Sequence, residues 1–419
     1  MKQPINSPTF CVLPWVHING SVGGKYRPCC NSEIYFSFDD DNVSIKQAFE
    51  SSEMDEVRQY MAEGKEHPAC EVCYSRERND SLSFRHTYTV DKFKNFVDPI
   101  EDEKVRYLDL RFDNTCNLAC RMCDPSSSNL LESTIEWYQE QNLDLPNHWK
   151  KFNKIKQKDN SLISNKRKQY VIEILPNVRE LKVTGGEPFI SKDFLEVLDY
   201  AIEKDYAKNI RLLITTNGTK FVKSVLDRLT YFRALDMNIS VDGCNETYEY
   251  IRYPFTWNKW SERFREFIDF CDNSELYKVK DFRIRTSTIV TSYNWLNCPE
   301  LYTILKNYSL EYPWLKDINY IPRIDFNLNL RPADSELAAK WLPDTILEEG
   351  LERWKLTDCR QVKEIEKYVS MSKNIDLANK IKKQKQCKYI TTTLDEQRNQ
   401  SYQSLGPEIK NYLDNINDF

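Results

Sequence analysis

The sequence predicts an α/β chain: a partial (β/α)6 barrel preceded by a small cysteine-rich domain and followed by a helical extension. Three observations point there. Short apolar runs alternate with helical stretches six times between residues 106 and 324, which is the rhythm of a parallel α/β unit. At 419 residues the chain exceeds what one hydrophobic core usually supports. The thirteen cysteines are unevenly placed: five from Cys11 to Cys73, three from Cys116 to Cys123 and five scattered singly.

Residues 1–100 are expected to form the first domain. A helix is predicted over 44–64, SIKQAFESSEMDEVRQYMAEG, because Ile45, Phe49, Met54, Val57 and Met61 recur at helical spacing and Gly64 stops the pattern. It reads as a lid over a metal site. The core spans 101–332, with strands predicted at RYLDLRF (106–112), ELKVTG (180–185), NIRLLITTN (209–217), DMNISVDG (236–243), FRIRTSTIV (282–290) and DINYIPRI (317–324). The helical stretches FLEVLDYAIEKD, FVKSVLDRL and WSERFREFIDFCD follow the second, third and fourth strands and can cover the sheet's outer face, as in a TIM-like barrel. Residues 126–178 are too long for a connection and read as an insertion, with eight Lys and Arg between Lys150 and Lys168. A solvated helix is expected there, with phosphate contact as the alternative. Residues 333–419 read as a helical C-terminal extension.

Hydrophobic residues at 40% can fill a core, while 29% charged residues and a net charge of −5 describe an ordinary soluble surface that demands no nucleic acid. No 18 apolar residues run together, so no membrane span is predicted and the chain is expected to be cytoplasmic. In a reducing compartment, clustered cysteines bind metal or do redox chemistry rather than staple a scaffold.

RYLDLRF runs into DNTCNLACRMC, which places Cys116, Cys120 and Cys123 at the C-terminal end of a predicted strand, where barrel active sites sit. Thiolates are the ligands of iron–sulfur clusters, and four saturate a [4Fe–4S] cube. Three leave one iron open. An open iron can chelate an amine and a carboxylate, which the methionine end of S-adenosylmethionine (SAM) offers. Zinc with a remote fourth ligand is the alternative. After the second strand, Gly185, Gly186, Glu187 and Pro188 allow close backbone approach and supply a carboxylate for an ammonium group.

Together with TTNG (215–218) and NISVDG (238–243), these motifs resemble the radical SAM superfamily over about residues 105–330. The resemblance implies a [4Fe–4S] cluster with an open iron on Cys116, Cys120 and Cys123. It also implies that Gly185, Gly186 and Glu187 meet the SAM amino group, and that Asn217, Ser240 and Asp242 line the same site. Arg252, in YEYIRYP, resembles an arginine that pairs with the SAM carboxylate, against the plainer reading of a surface arginine. The residue before the third cysteine is often aromatic in the superfamily; here it is Met122, whose thioether can pack on adenine.

CVLPWVHI, RPCC and HPACEVC, in that order, resemble the twitch domain, a half-size relative of the SPASM domain, here ahead of the core. This implies an auxiliary iron–sulfur cluster, taken as [4Fe–4S], on Cys11, Cys29, Cys70 and Cys73, with Cys30 a candidate to replace Cys29. A zinc knuckle is the alternative. Cys244, Cys271, Cys298, Cys359 and Cys387 read as packed thiols and His17 as a structural histidine. On the fifth strand Arg283, Arg285 and Ser287 share a polar face, from which Arg285 can meet SAM or an anionic substrate if it points into the barrel; surface exposure at a strand edge is the alternative.

The implied function is reductive cleavage of SAM to a 5′-deoxyadenosyl radical that abstracts hydrogen from a peptide or protein. The auxiliary cluster would handle electrons, and an external flavodoxin- or ferredoxin-type reductant would supply them. A nucleotide or sugar substrate and a zinc-stabilised binding protein are the competing readings.

Overall fold

The structure, a computed structural model, describes residues 7–32, 34–38, 43–79, 81–91, 104–147, 149–150, 160–279, 281–318, 320, 322–325 and 335–416. The chain divides into two compact units. The first comprises Met1–Asn114, Gln157–Thr215 and Val222–Asp236; the second comprises Thr115–Lys156, Thr216–Phe221 and Met237–Phe419. These borders differ from the expected ones at 100 and 332.

The first unit explains part of that difference. Its strands are β1 (His17–Gly20), β2 (Tyr26–Arg27), β3 (Tyr107–Arg111), β4 (Glu180–Thr184) and β5 (Arg211–Thr216), in the order β2-β1-β3-β4-β5. β1 runs parallel to β3 with His17 opposite Tyr107, so the N-terminal cysteine segment is hydrogen-bonded into the sheet. β3 is parallel to β4, and Asp109 lies opposite Lys182. Their side chains pair at 2.8 Å, which accounts for a charged residue in the middle of each apolar strand.

His17 is buried, and its Nδ1–H donates to the Pro28 carbonyl at 2.8 Å. Burial lowers its pKa from an ordinary 6.5 to about 4. Between those values the unfolded chain binds a proton that the native state excludes, so stability rises with pH through the window and is constant above it. Acidification from about pH 6.5 to pH 4 is expected to cost about 3 kcal/mol through this residue. Urea titrations of the wild type and His17→Gln at several pH values should show that part of the slope only in the wild type.

The helix expected over 44–64 forms as two, Ile45–Phe49 and Ser52–Ala62. Two serines compete to start it. Ser44 and Gln47 make a reciprocal capping box, and Ser51 Oγ accepts from Met54 N at 3.3 Å, restarting the helix one turn later. In the insertion, helices form over Leu130–Glu140 in the second unit and Asn160–Ile174 in the first, and 151–159 lie outside the described residues. The solvated reading fails at Arg167, which is 2% exposed. It donates to Val22 O at 2.8 Å, to Phe112 O at 3.0 Å and to Arg111 O, so carbonyls consume the charge a phosphate would have met.

The second unit holds the last residues of β6 (Ala234–Ser240), then β7 (Asp281–Ile289) and β8 (Arg323–Asp325), in the order β6-β7-β8. The sixth predicted strand starts later than expected, because Pro322 has no amide to give the ladder and Trp314–Asp317 turns helical instead. On β7, Arg283 is exposed while Phe282, Ile284 and Thr286 are buried, which matches the alternation.

A large core of this unit gathers Trp149, Tyr250, Tyr293, Trp295, Trp354 and Cys387. It is built from the insertion, the central strand region and the C-terminal helices together, so residues 333–419 are not a loose appendage. Gly350, inside the helix Asp344–Lys355, lies under Trp295: a Cβ there would come 2.0 Å from Trp295 Nε1. Gly350→Ala would gain helix propensity of about 1 kcal/mol. Overpacking against a buried indole is expected to outweigh that gain and leave a net loss of about 1–3 kcal/mol, read as a lower denaturation midpoint. Among the described residues no helix is long and apolar enough to cross a membrane.

Candidate functional site

Cys116, Cys120 and Cys123 occupy an irregular loop of the second unit that is fixed almost atom by atom. Ala119 N donates to Tyr253 O at 2.8 Å and Arg121 N to Ile251 O at 3.0 Å, so the loop lies along residues 251–253 like a short strand. Asn129 Oδ1 accepts from Cys116 N at 3.0 Å, and Ser128 Oγ donates to Leu118 O at 2.6 Å. Trp149 Nε1 donates to Cys123 O at 2.9 Å. The turn closes through Cys123 N on Cys120 O at 3.1 Å, which brings two of the three thiols together.

Polar side chains hold the remaining thiol. Asn217 Nδ2 approaches Cys116 Sγ at 3.8 Å and Asn117 Oδ1 at 3.0 Å, while Asn117 Nδ2 donates to Thr219 Oγ1 at 2.8 Å. Cys120 has a lowered pKa, chiefly because the Cys123 thiol donates to it, with the Arg252 cation also favouring the thiolate. Cys123, the donor, is raised well above the ordinary thiol value by that hydrogen bond and by burial. Three soft donors on one braced loop, two of them sharing a proton beside a cation, fit a cluster held by three thiolates.

Arg252 is expected to meet a ligand carboxylate, but the structure gives it an internal partner. Its Nε and Nη2 donate to Asp242 Oδ2 at 2.8 and 2.5 Å, and Asp242 Oδ1 accepts from Ile289 N at 2.7 Å. Asp242 therefore positions Arg252. Neither is a surface residue, since both are buried. Ser240 is half-buried at the end of β6. Met122 packs against the buried pair Ala338 and Trp341.

Gly185–Pro188 belongs to the first unit. Gly185 has φ 128°, and a Cβ there would lie 2.9 Å from the Asp113 carbonyl oxygen, which in turn accepts from Gly186 N at 3.2 Å. Only glycine permits that approach. Glu187 is buried, and its Oε1 accepts from Phe189 N at 3.1 Å, capping the turn Pro188–Ile190. One carboxylate oxygen thus braces the motif that presents it.

The N-terminal cysteines of the first unit surround one cavity. Cys11, Cys29, Cys70 and Cys73 line it with Phe84 and Arg85. Cys30 is not in its wall; its sulfur lies 3.8 Å from Lys182 Nζ, on the Asp109 side. Burial pushes Cys11 up to about 12 and holds Cys29 and Cys70 well above an ordinary thiol, so without a bound cation these groups are neutral. Among the described residues no three His, Cys, Asp or Glu side chains converge on a single-ion site.

Sequence reasoning missed Arg121, Asp395 and Arg398. Arg121 is fully buried between two of the loop cysteines, donates to Tyr250 O at 2.9 Å and Gln400 Oε1 at 3.0 Å, pairs with Asp395 and stacks over Tyr250 at 3.6 Å. The end of the helix Leu377–Arg398 is thereby clamped to the cysteine loop. The helix carries no apolar periodicity that would have signalled this. The five scattered cysteines are all buried, as packed thiols are expected to be.

Residues 110–290 match the family model described as Radical SAM superfamily. A GTP 3′,8-cyclase of Actinobacillus pleuropneumoniae serotype 5b (strain L20) is 26% identical over 165 residues, covering 39% of this chain and 40% of the relative. Mycofactocin maturase MftC of Mycolicibacterium smegmatis is 34% identical over 65 residues, 16% of each chain. The solved structure of native anSMEcpe with bound AdoMet is 18% identical with a TM-score of 0.30, covering 58% of this chain and 57% of that one. The chain thus spans about two-fifths of the length of the first curated relative it matches, the 40% given above.

Proposed function

We propose that this chain, whose residues 110–290 match the radical SAM family model, is an enzyme that cleaves SAM reductively and uses the product to take hydrogen from a substrate. The carrying observation is the braced loop that gathers Cys116, Cys120 and Cys123 beside Arg252. A [4Fe–4S] cluster and SAM, when bound, supply one-electron cleavage and hydrogen abstraction. Cys116, Cys120 and Cys123 hold the cluster and leave one iron for SAM. Asn217 and Asn117 orient the Cys116 sulfur. Arg252, held by Asp242, keeps positive charge beside the thiolates. Gly185, Gly186 and Glu187 meet the SAM amino group, Met122 packs on adenine, and Ser240 completes the wall.

Cys11, Cys29, Cys70 and Cys73 hold an auxiliary [4Fe–4S] cluster that exchanges electrons with the substrate, in a twitch-like domain. Four thiols lining one pocket support that assignment. The substrate is a peptide or protein, by the resemblance of the N-terminal motifs. A nucleotide substrate is the second reading, and it is favoured by the GTP 3′,8-cyclase match.

Anaerobic purification should yield a brown protein with about eight irons, as two cubanes require. With dithionite and SAM it should form 5′-deoxyadenosine. A colourless protein that leaves SAM intact would overturn the reading.

A further inference from the structure

Arg398 ends the helix Leu377–Arg398 and is 7% exposed. Neither Nη1 nor Nη2 has a hydrogen-bond partner among the described residues, and both atoms are sealed from solvent. The guanidinium lies over the Tyr253 ring at 5.3 Å, and Tyr253 O is the acceptor that fixes Ala119 in the cysteine loop. Asp395, one turn earlier on its own helix, is already spent on Arg121 and on Tyr402 N at 2.7 Å. Arg121 adds a second buried cation. Burial and that like charge pull Arg398 down to about 10, which leaves it charged at neutral pH.

A buried cation without an anion is costly, and it persists where something else in the working molecule supplies the charge. No dissolved anion can reach sealed nitrogens. The guanidinium packs on the residue that braces the cysteine loop: Tyr253 O accepts from Ala119 N, the position immediately before Cys120.

We propose that Arg398, carried by the C-terminal helix, is the counter-ion of the three-cysteine loop, balancing the charge that Cys116, Cys120 and Cys123 hold as metal-bound thiolates. This rests on the radical SAM reading of that loop. Arg398 is a positioning residue that acts through the thiolates. Two consequences follow from the charge alone. Metal loading and docking of the C-terminal helix stabilise each other, and the positive charge favours the reduced cluster.

The test compares full-length wild type with Arg398→Gln, Arg398→Met and Arg398→Lys, each reconstituted anaerobically with iron and sulfide and each also stripped by chelator. The metal-free Gln and Met variants should melt higher than metal-free wild type, because an unpaired buried charge is gone. Their gain in melting temperature on loading should shrink. In an EPR-monitored redox titration, the cluster whose signal changes on adding SAM should have a more negative midpoint potential in both variants, with Arg398→Lys returning toward wild type. Unchanged potentials and an unchanged loading gain would overturn the proposal, as would neutral variants that do not fold metal-free. If wild type itself takes up no cluster on this loop, the radical SAM reading fails instead.

Discussion

Replacing Cys116, Cys120 and Cys123 together with alanine is expected to abolish 5′-deoxyadenosine formation while iron falls from about eight to about four per chain, the content of one remaining cubane. The change removes the sulfurs and little else. The loop's backbone bonds to residues 251–253, its Asn129 and Trp149 braces and the Arg121 clamp do not involve the thiols. The variant should therefore fold, and the N-terminal cluster's absorption should persist. Each single replacement should be nearly as severe, because two thiolates cannot hold a cube in place of three. Cleavage that survives the triple change would show that the reacting iron sits elsewhere.

What could be read from the sequence was whatever the chain encodes locally. Cys116, Cys120 and Cys123 lie within eight residues, Gly185–Pro188 is contiguous, and β3 to β7 are apolar runs long enough to stand out. β1 was missed because four residues, His17–Gly20, make sense as a strand only beside β3, some ninety positions later. The buried cations were missed for a related reason. Arg167 and Arg398 sit on helices rich in lysine, where one inward-facing guanidinium leaves no trace in the pattern. Asp242 and Arg252 were both found, yet their pairing with each other was not, because a strand end and a helix end ten residues apart meet only in the folded unit.

Cys29 and Cys30 pose the sharpest case of that limit, since adjacent identical residues cannot be told apart by spacing. In the fold they diverge: Cys29 lines the cavity with Cys11, Cys70 and Cys73, and Cys30 faces Lys182. Cys29→Ala should accordingly lose about four irons, the content of a cubane deprived of its fourth ligand, whereas Cys30→Ala should keep all of them. Neither change touches the loop at Cys116, so SAM cleavage should continue in both. The cavity's burial adds a second signature. Because burial holds Cys11, Cys29 and Cys70 neutral until metal arrives, loading must release protons, and a pH-indicator titration with iron and sulfide should record fewer of them for Cys29→Ala than for Cys30→Ala. Iron lost from Cys30→Ala but retained by Cys29→Ala would exchange the two roles. Iron retained by both would mean that three of these thiols suffice, leaving the auxiliary site an open iron and making it a place where substrate itself can bind.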